Sequence, residues 1–192
     1  DRTVSPDLLP MEYPCYGSGD FRSPAVNVRN KQGVYGLDLR CKSHCFTKGK
    51  YSIPGLPAVY GDEKKAHTLE VKLEDEAFKV EVILKYGILS ELDVITRCAV
   101  ICNKGGEDVF INKAYSASLD FVSGDFELLH FYGRHAMERN LERIPVIHGN
   151  QSFGSRRGTS SHQHNPFFIL AEKNTTEDAG GCYGMSFLYS GN

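Results

Sequence analysis

The feature that most constrains this chain is a period-two alternation between Phe78 and Tyr86. Phe78, Val80, Val82, Leu84 and Tyr86 fall on one face of an extended segment, and Lys79, Glu81 and Lys85 fall on the other. A helix would scatter those apolar side chains around its circumference, so the run reads as a strand with one buried face. The run Leu69-Glu-Val-Lys-Leu73 repeats the pattern, and Glu74-Asp-Glu-Ala77 between the two reads as a hairpin connection.

Two longer runs, 94–102 (VITRCAVIC) and 109–121 (VFINKAYSASLDF), are apolar on both faces and are joined by the turn signal Asn103-Lys-Gly-Gly-Glu107. Strands buried on both sides suit a layered sandwich better than a one-sided sheet. Further strands are expected at 35–46, 126–132, 143–148, 167–172 and 182–189. Helical periodicity is nearly absent. Residues 134–143 (RHAMERNLER) have helix-forming composition but a thin apolar face, so they read as a polar-edged strand or one short helical turn. Residues 1–25 carry four prolines and are expected as an extended, irregular arm lying on a surface. The expected fold class is all-β, a large antiparallel β-sandwich (supersandwich) with little or no helix, formed as one domain over 1–192.

Charge and cysteine content narrow the function classes. A formal net charge of -2 offers no electrostatic case for nucleic acid or an anionic membrane surface. No apolar run approaches a membrane span, and no secretory signal opens the sequence. The sequence opens on Asp1 and closes inside what reads as a strand, so a piece of a longer protein is expected. Cys41 and Cys45, like Cys98 and Cys102, have a spacing that raises the question of zinc. In a regular strand, residues four apart lie about 13 Å apart, too far to share one metal. With Cys15 and Cys182 they are expected as reduced thiols in a reducing cytosol, with no metal and no cofactor.

The segment 155–167, SRRGTSSHQHNPF, crowds fixed-geometry donors ahead of a proline. Its serines and histidines lack the strained strand-to-helix turn of a nucleophile elbow, and sequence neighbours on extended chain point to opposite sides. His162 and His164 alone make a weak metal signal. Glycoside hydrolysis needs two carboxylates facing across a sugar. Asp20, Asp120 and Asp125 sit in apolar surroundings, but nothing marks a pair, and Asp120 reads most simply as a hydrogen-bonded carboxylate. The sequons at Asn150 and Asn174 would matter only in a secreted protein.

Several motifs resemble the amino-terminal domain of bacterial α-galactosidases of glycoside hydrolase family 36. They are Glu12-Tyr-Pro-Cys-Tyr-Gly17, Gly19-Asp-Phe-Arg-Ser-Pro-Ala25, Lys48-Gly-Lys50 with Ile53-Pro-Gly-Leu-Pro57, Asp93-Val-Ile-Thr-Arg97 and Asp125-Phe-Glu-Leu-Leu129. Ser155-Arg-Arg-Gly-Thr-Ser-Ser-His-Gln-His-Asn-Pro166 is the most specific of them, and Tyr183-Gly184 with Tyr189-Ser-Gly-Asn192 closes the pattern.

The resemblance implies an accessory, non-catalytic domain of a retaining enzyme that removes terminal α-linked galactose from oligosaccharides such as melibiose and raffinose. Its catalytic aspartates would lie on a (β/α)8 barrel following this domain, so no catalytic residue is expected here. The implied partners are that barrel, further copies in a homo-oligomer and, through the whole enzyme, an α-galactoside. The implied compartment is the cytoplasm. The candidate substrate or interface contacts are Arg2, Asp20, Arg22, Arg156, Arg157, His162, His164 and Asn165. Arginine supplies a rigid donor fork, and Asn, Ser and His can complete a hydrogen-bond network around it. That network would either brace the domain against another surface or satisfy itself and pin two strands. An autonomous carbohydrate-binding or structural module is the alternative, although the chain has no tryptophan for stacking on sugars.

Overall fold

The structure is a computed structural model, and it describes residues 8–19, 21–57, 59–122, 124–159 and 161–188. Ten strands run in order among the described residues: β1 (Val26–Asn30), β2 (Arg40–Lys48), β3 (His67–Asp75), β4 (Val80–Leu89), β5 (Val94–Asn103), β6 (Val109–Ala114), β7 (Phe126–Arg134), β8 (Met137–Pro145), β9 (His164–Glu172) and β10 (Cys182–Ser186). Helical structure among the described residues is confined to short 3-10 turns, which include Tyr16–Ser18 and Ser90–Leu92. Every ladder is antiparallel. The all-β expectation holds. The chain divides into two compact units, Asp1–Ser52 with Val59–Val122, and Ile53–Ala58 with Ser123–Asn192.

The first unit is a two-layer sandwich. One layer is the four-stranded sheet β2-β3-β4-β5, and the other is the pair β1-β6. Val80, Val82 and Leu84 of β4 meet Val26 and Val28 of β1, and none of the five is more than 1% exposed. The alternation that begins at Phe78 therefore faces this core, and each such side chain contributes about 1.5–3 kcal/mol by leaving water. β1 itself lies outside the expected strands, because VNVRN offers only two alternating apolar residues before Lys31-Gln-Gly33 breaks the run.

Local chemistry moves two boundaries. β3 and β4 pair through nine consecutive residues, but their turn falls at 76–79 rather than 74–77. The buried Asp75 carboxylate sets it, accepting from the backbone N–H of Ala77 and Phe78 at 2.8 Å each and from Asp38 N–H at 2.7 Å. A carboxylate that accepts three backbone donors is satisfied without water, which is why it can end a strand inside the fold. The turn 103–107 does not make a hairpin of β5 and β6. β5 pairs with β4 while β6 pairs with β1, so the connection carries the chain between layers. β6 stops at Ala114, and in this chain most of it is exposed rather than buried on both faces.

The opening arm is extended and irregular as expected, but its middle is core rather than surface. Tyr13 and Cys15 are buried with Val26 and Leu37. Ala25 N–H donates to Pro14 O at 2.9 Å and Gly17 N–H to Leu37 O at 2.8 Å. Those bonds give a proline-rich segment the backbone partners that a regular ladder could not.

The second unit is the sheet β10-β9-β7-β8. Residues 134–143 form the end of β7, a two-residue turn at His135–Ala136 and most of β8, so the helical alternative fails. Ala136 takes φ 61, as a tight hairpin requires. Cross-strand pairs override helix propensity here: Arg143 binds Glu127 of the neighbouring β7. The expected strand 143–148 ends at Pro145, and 182–189 ends at Ser186, with Tyr189 outside the described residues.

All six cysteines are free. A register shift between Cys41 and Ser43 places Cys41 opposite Leu73 and Cys45 opposite Glu70, hence on opposite faces of β2. The bulge overturns the simple rule that residues four apart share a face. Cys98 and Cys102 do share a face of β5, at the far edge of the same sheet.

Candidate functional site

Two polar constellations stand out, one in each unit. In the first unit the arm is strapped to the sandwich by two acidic residues. Glu12 Oε1 accepts from the Tyr86 hydroxyl at 2.6 Å and lies 2.6 Å from Arg97 Nη1. The Arg97 guanidinium stacks over the Tyr86 ring at 4.6 Å and also donates to Ser118 O. Burial, and then the bond to Glu12, pushes the Tyr86 hydroxyl well above its usual range. Asp120 Oδ2 is the second strap: it accepts from Met11 N–H at 2.8 Å and from Arg22 Nη1.

Arg22, a candidate from the sequence, straps the arm internally through Asp120. Asp120 is the hydrogen-bonded carboxylate that the sequence suggested. Arg2 and Asp20 lie outside the described residues. Glu12 and Arg97 stand in family-like motifs but not among the candidate contacts, although a lone arginine in the apolar run VITRCAVIC is a usable signal of a buried pair.

In the second unit the segment 155–166 splits by role. The Arg156 and Arg157 side chains are exposed, and among the described residues neither guanidinium has a hydrogen bond or ion pair. Only the Arg157 backbone N–H is engaged, with Ser155 Oγ at 3.3 Å. His162 is exposed, and the Glu138 carboxyl is held low chiefly by the backbone N–H of Ala136. His164 and Asn165 are half-buried at the start of β9, and Ser161 bridges to His164. Among the described residues, no hydrogen bond links the two arginine side chains to the histidine end. The histidine end pins strands, and the arginine end faces solvent.

His164 joins a cluster that the sequence reading missed. His130, on β7, lies flat on Phe153 with centroids 5.0 Å apart and planes 7° from parallel. His164 sits 6.2 Å from His130, and His130 Nε2 lies 3.1 Å from Glu142 on β8. The Nδ1 atoms of both histidines are buried without a partner among the described residues. The available signal was the inward parity of His130 between Leu128 and Tyr132 in FELLHFY. Neither constellation places two carboxylates across an open cleft, and among the described residues no group of three or more His, Cys, Asp or Glu is placed to hold a metal.

Residues 1–192 match the family model described as the glycosyl hydrolase family 36 N-terminal domain. The bifunctional alpha-galactosidase/sucrose kinase AgaSK of Mediterraneibacter gnavus is 60% identical over 192 residues, which is 100% of this chain and 20% of that protein. Alpha-galactosidase AgaA of Geobacillus stearothermophilus is 47% identical over 193 residues, covering 100% of this chain and 26% of the relative. The solved galactosidase domain of AgaSK superimposes with TM-score 0.95 over 100% of this chain and 27% of its own. An AgaA variant of Geobacillus stearothermophilus solved in complex with raffinose does so with the same TM-score at 47% identity and the same coverages. The chain therefore spans about a fifth to a quarter of the length of these relatives. It belongs to the glycosyl hydrolase family 36 N-terminal domain family.

Proposed function

We propose that this chain is the amino-terminal domain of an α-galactosidase that releases terminal α-linked galactose from oligosaccharides such as melibiose and raffinose. Identity of 60% along the whole chain to a galactosidase carries this reading. Residues 1–192 act as one accessory domain without catalytic residues, because retaining hydrolysis needs paired carboxylates about 5–5.5 Å apart. Its partners are the catalytic barrel of the same polypeptide and other copies in a cytoplasmic homo-oligomer.

Arg156 and Arg157 supply the contact. Two exposed donor forks on one short loop, without partners among the described residues, are suited to the hydroxyls, carbonyls or carboxylates of an opposing surface. The test is an aryl α-galactoside assay on the isolated chain and on the full-length polypeptide, purified in parallel. Turnover by the full polypeptide and none by the chain is the expected outcome. Turnover by the chain alone would overturn the accessory role, and none by either would overturn the enzyme.

A further inference from the structure

We infer that the outer edge of β5 is paired, in the whole protein, with a β-strand supplied by the polypeptide outside these 192 residues. The inference rests on the reading that the chain is one domain of a longer enzyme, and it comes from comparing the sheet edges. A bare edge presents a row of unpaired N–H and C=O groups, and native proteins blunt the edges that stay bare with bulges, charges, proline or short length.

Four strands bound the two larger sheets, and three of them are blunted. β2 has a register break between Cys41 and Ser43, carries Arg40, Lys42 and Lys48, and is exposed at all nine positions. β8 carries Glu138, Arg139, Glu142 and Arg143, ends on Pro145 and holds Arg139 at φ 57. β10 has five residues. The two-stranded layer is short on both sides, with five residues in β1 and six in β6, and its ladder is interrupted at Asn27–Val28.

β5 has none of these devices. It pairs with β4 through ten consecutive residues, from Val94 opposite Leu89 to Asn103 opposite Val80, without a shift. Its one charge, Arg97, is taken up by Glu12 and Tyr86 rather than guarding the edge. Residues 96–102 are buried or half-buried on both faces, so the strand already lies inside a layer while its outer edge has no ladder partner among the described residues. A long, flat, charge-poor edge of this kind is a pairing template.

The occupant is a strand of the same polypeptide because the relatives carry this domain within chains about four to five times its length. This backbone is preserved there at TM-score 0.95. The faces of β5 specify the partner's chemistry. Ala99 and Ile101 lie on the same side as Val82 and Leu84 of β4, which face the core, and Cys98 and Cys102 lie on the other side beside Lys85 and Glu81, so the incoming strand is apolar and β-branched toward the core and polar on its other face.

Residue-resolved hydrogen–deuterium exchange on the full-length polypeptide tests this. In a bare edge strand every second amide points outward and exchanges freely, while a strand paired on both sides protects consecutive amides. We expect all amides of 96–102 to exchange at least about tenfold slower than the fast alternate set of β2, with protection unchanged on dilution. An alternating fast–slow pattern in β5 would overturn the inference. So would protection that disappears as oligomers dissociate, since the occupant would then be a second copy. Galactosidase activity measured on the same sample separates the two readings: an active enzyme with a bare β5 sinks only the pairing, and a protected β5 without activity sinks only the enzyme.

Discussion

Asp120 and Arg22 form an ion pair across 98 residues of sequence, with Arg22 Nη1 2.5 Å from Asp120 Oδ2. The same oxygen accepts the Met11 N–H, so one carboxylate ties the proline-rich arm to the segment that follows β6. Both side chains are about a quarter exposed, which leaves the pair partly screened but still out of bulk water. Asp120→Ala strands both donors and should destabilise the chain by about 1–3 kcal/mol. Asp120→Asn keeps one acceptor and should cost less. Urea midpoints of the three proteins provide the check, and an unchanged midpoint for Asp120→Ala would show that the arm is held without this strap.

Gly17 is required by contact rather than by dihedral freedom. A Cβ there would lie 2.4 Å from Gly36 O and 2.6 Å from Leu37 C and O, all backbone atoms that cannot swing aside. Gly17→Ala should cost about 2–4 kcal/mol by forcing the arm off the core. Gly106, whose Cβ would meet nothing within 4 Å, is the control, and its replacement by Ala should stay within about 0.5 kcal/mol. Equal melting temperatures for the two variants would refute the close-packing account.

Alkaline pH should loosen the arm. Burial pushes the Tyr13 hydroxyl up to about 12, and the hydroxyl donates to Tyr115 O at 2.7 Å. Tyr86 is raised as well, by burial and then by Glu12. A phenol whose folded value exceeds its ordinary value of 10.0 adds stability that is complete below pH 10. That stability is lost as pH rises through about 12. The loss from Tyr13 is on the order of 2–3 kcal/mol, two decades of proton affinity. Tyr13→Phe should be less stable at pH 8 but flatter between pH 10 and 12. A parallel pH profile for the variant would remove Tyr13 as the cause.

Replacing Arg156 and Arg157 with Ala should leave the stability of the isolated chain within about 0.5 kcal/mol, because neither guanidinium has a partner among the described residues. In the full-length polypeptide the same change should lower activity or oligomer stability. A double variant of the whole protein that keeps full turnover and assembly would return this loop to an ordinary solvated role.

Thiol reactivity should grade by position. Cys41, Cys45 and Cys182 are exposed and should react first with an aromatic disulfide reagent. Burial pushes the Cys15 and Cys98 thiols up, so both should lag, with the buried Cys15 last. In denaturant the count should reach six. A lower count would indicate a disulfide, and a fast Cys15 would place it outside the core.

Sequence by itself determined what depends on neighbours along the chain. The alternation from Phe78 to Tyr86 fixed which face of β4 is buried, because a strand's side-chain parity is local. The motif series around Glu12, Arg97 and Arg156 was legible as a family pattern for the same reason, since it resides in order and spacing. Tertiary structure alone decided what depends on distant partners. The turn at 103–107 looks like a hairpin until β6 is seen to pair with β1, because a turn's residues record its bend and not its destination. RHAMERNLER has helix propensity, and it turns into a strand because β7 pairs with β8 at seven positions and offers a carboxylate for Arg143. Arg22 and Arg156 read alike in sequence. Only folding brings Asp120 to the first and leaves the second without a partner among the described residues, which makes one a strap and the other a free donor.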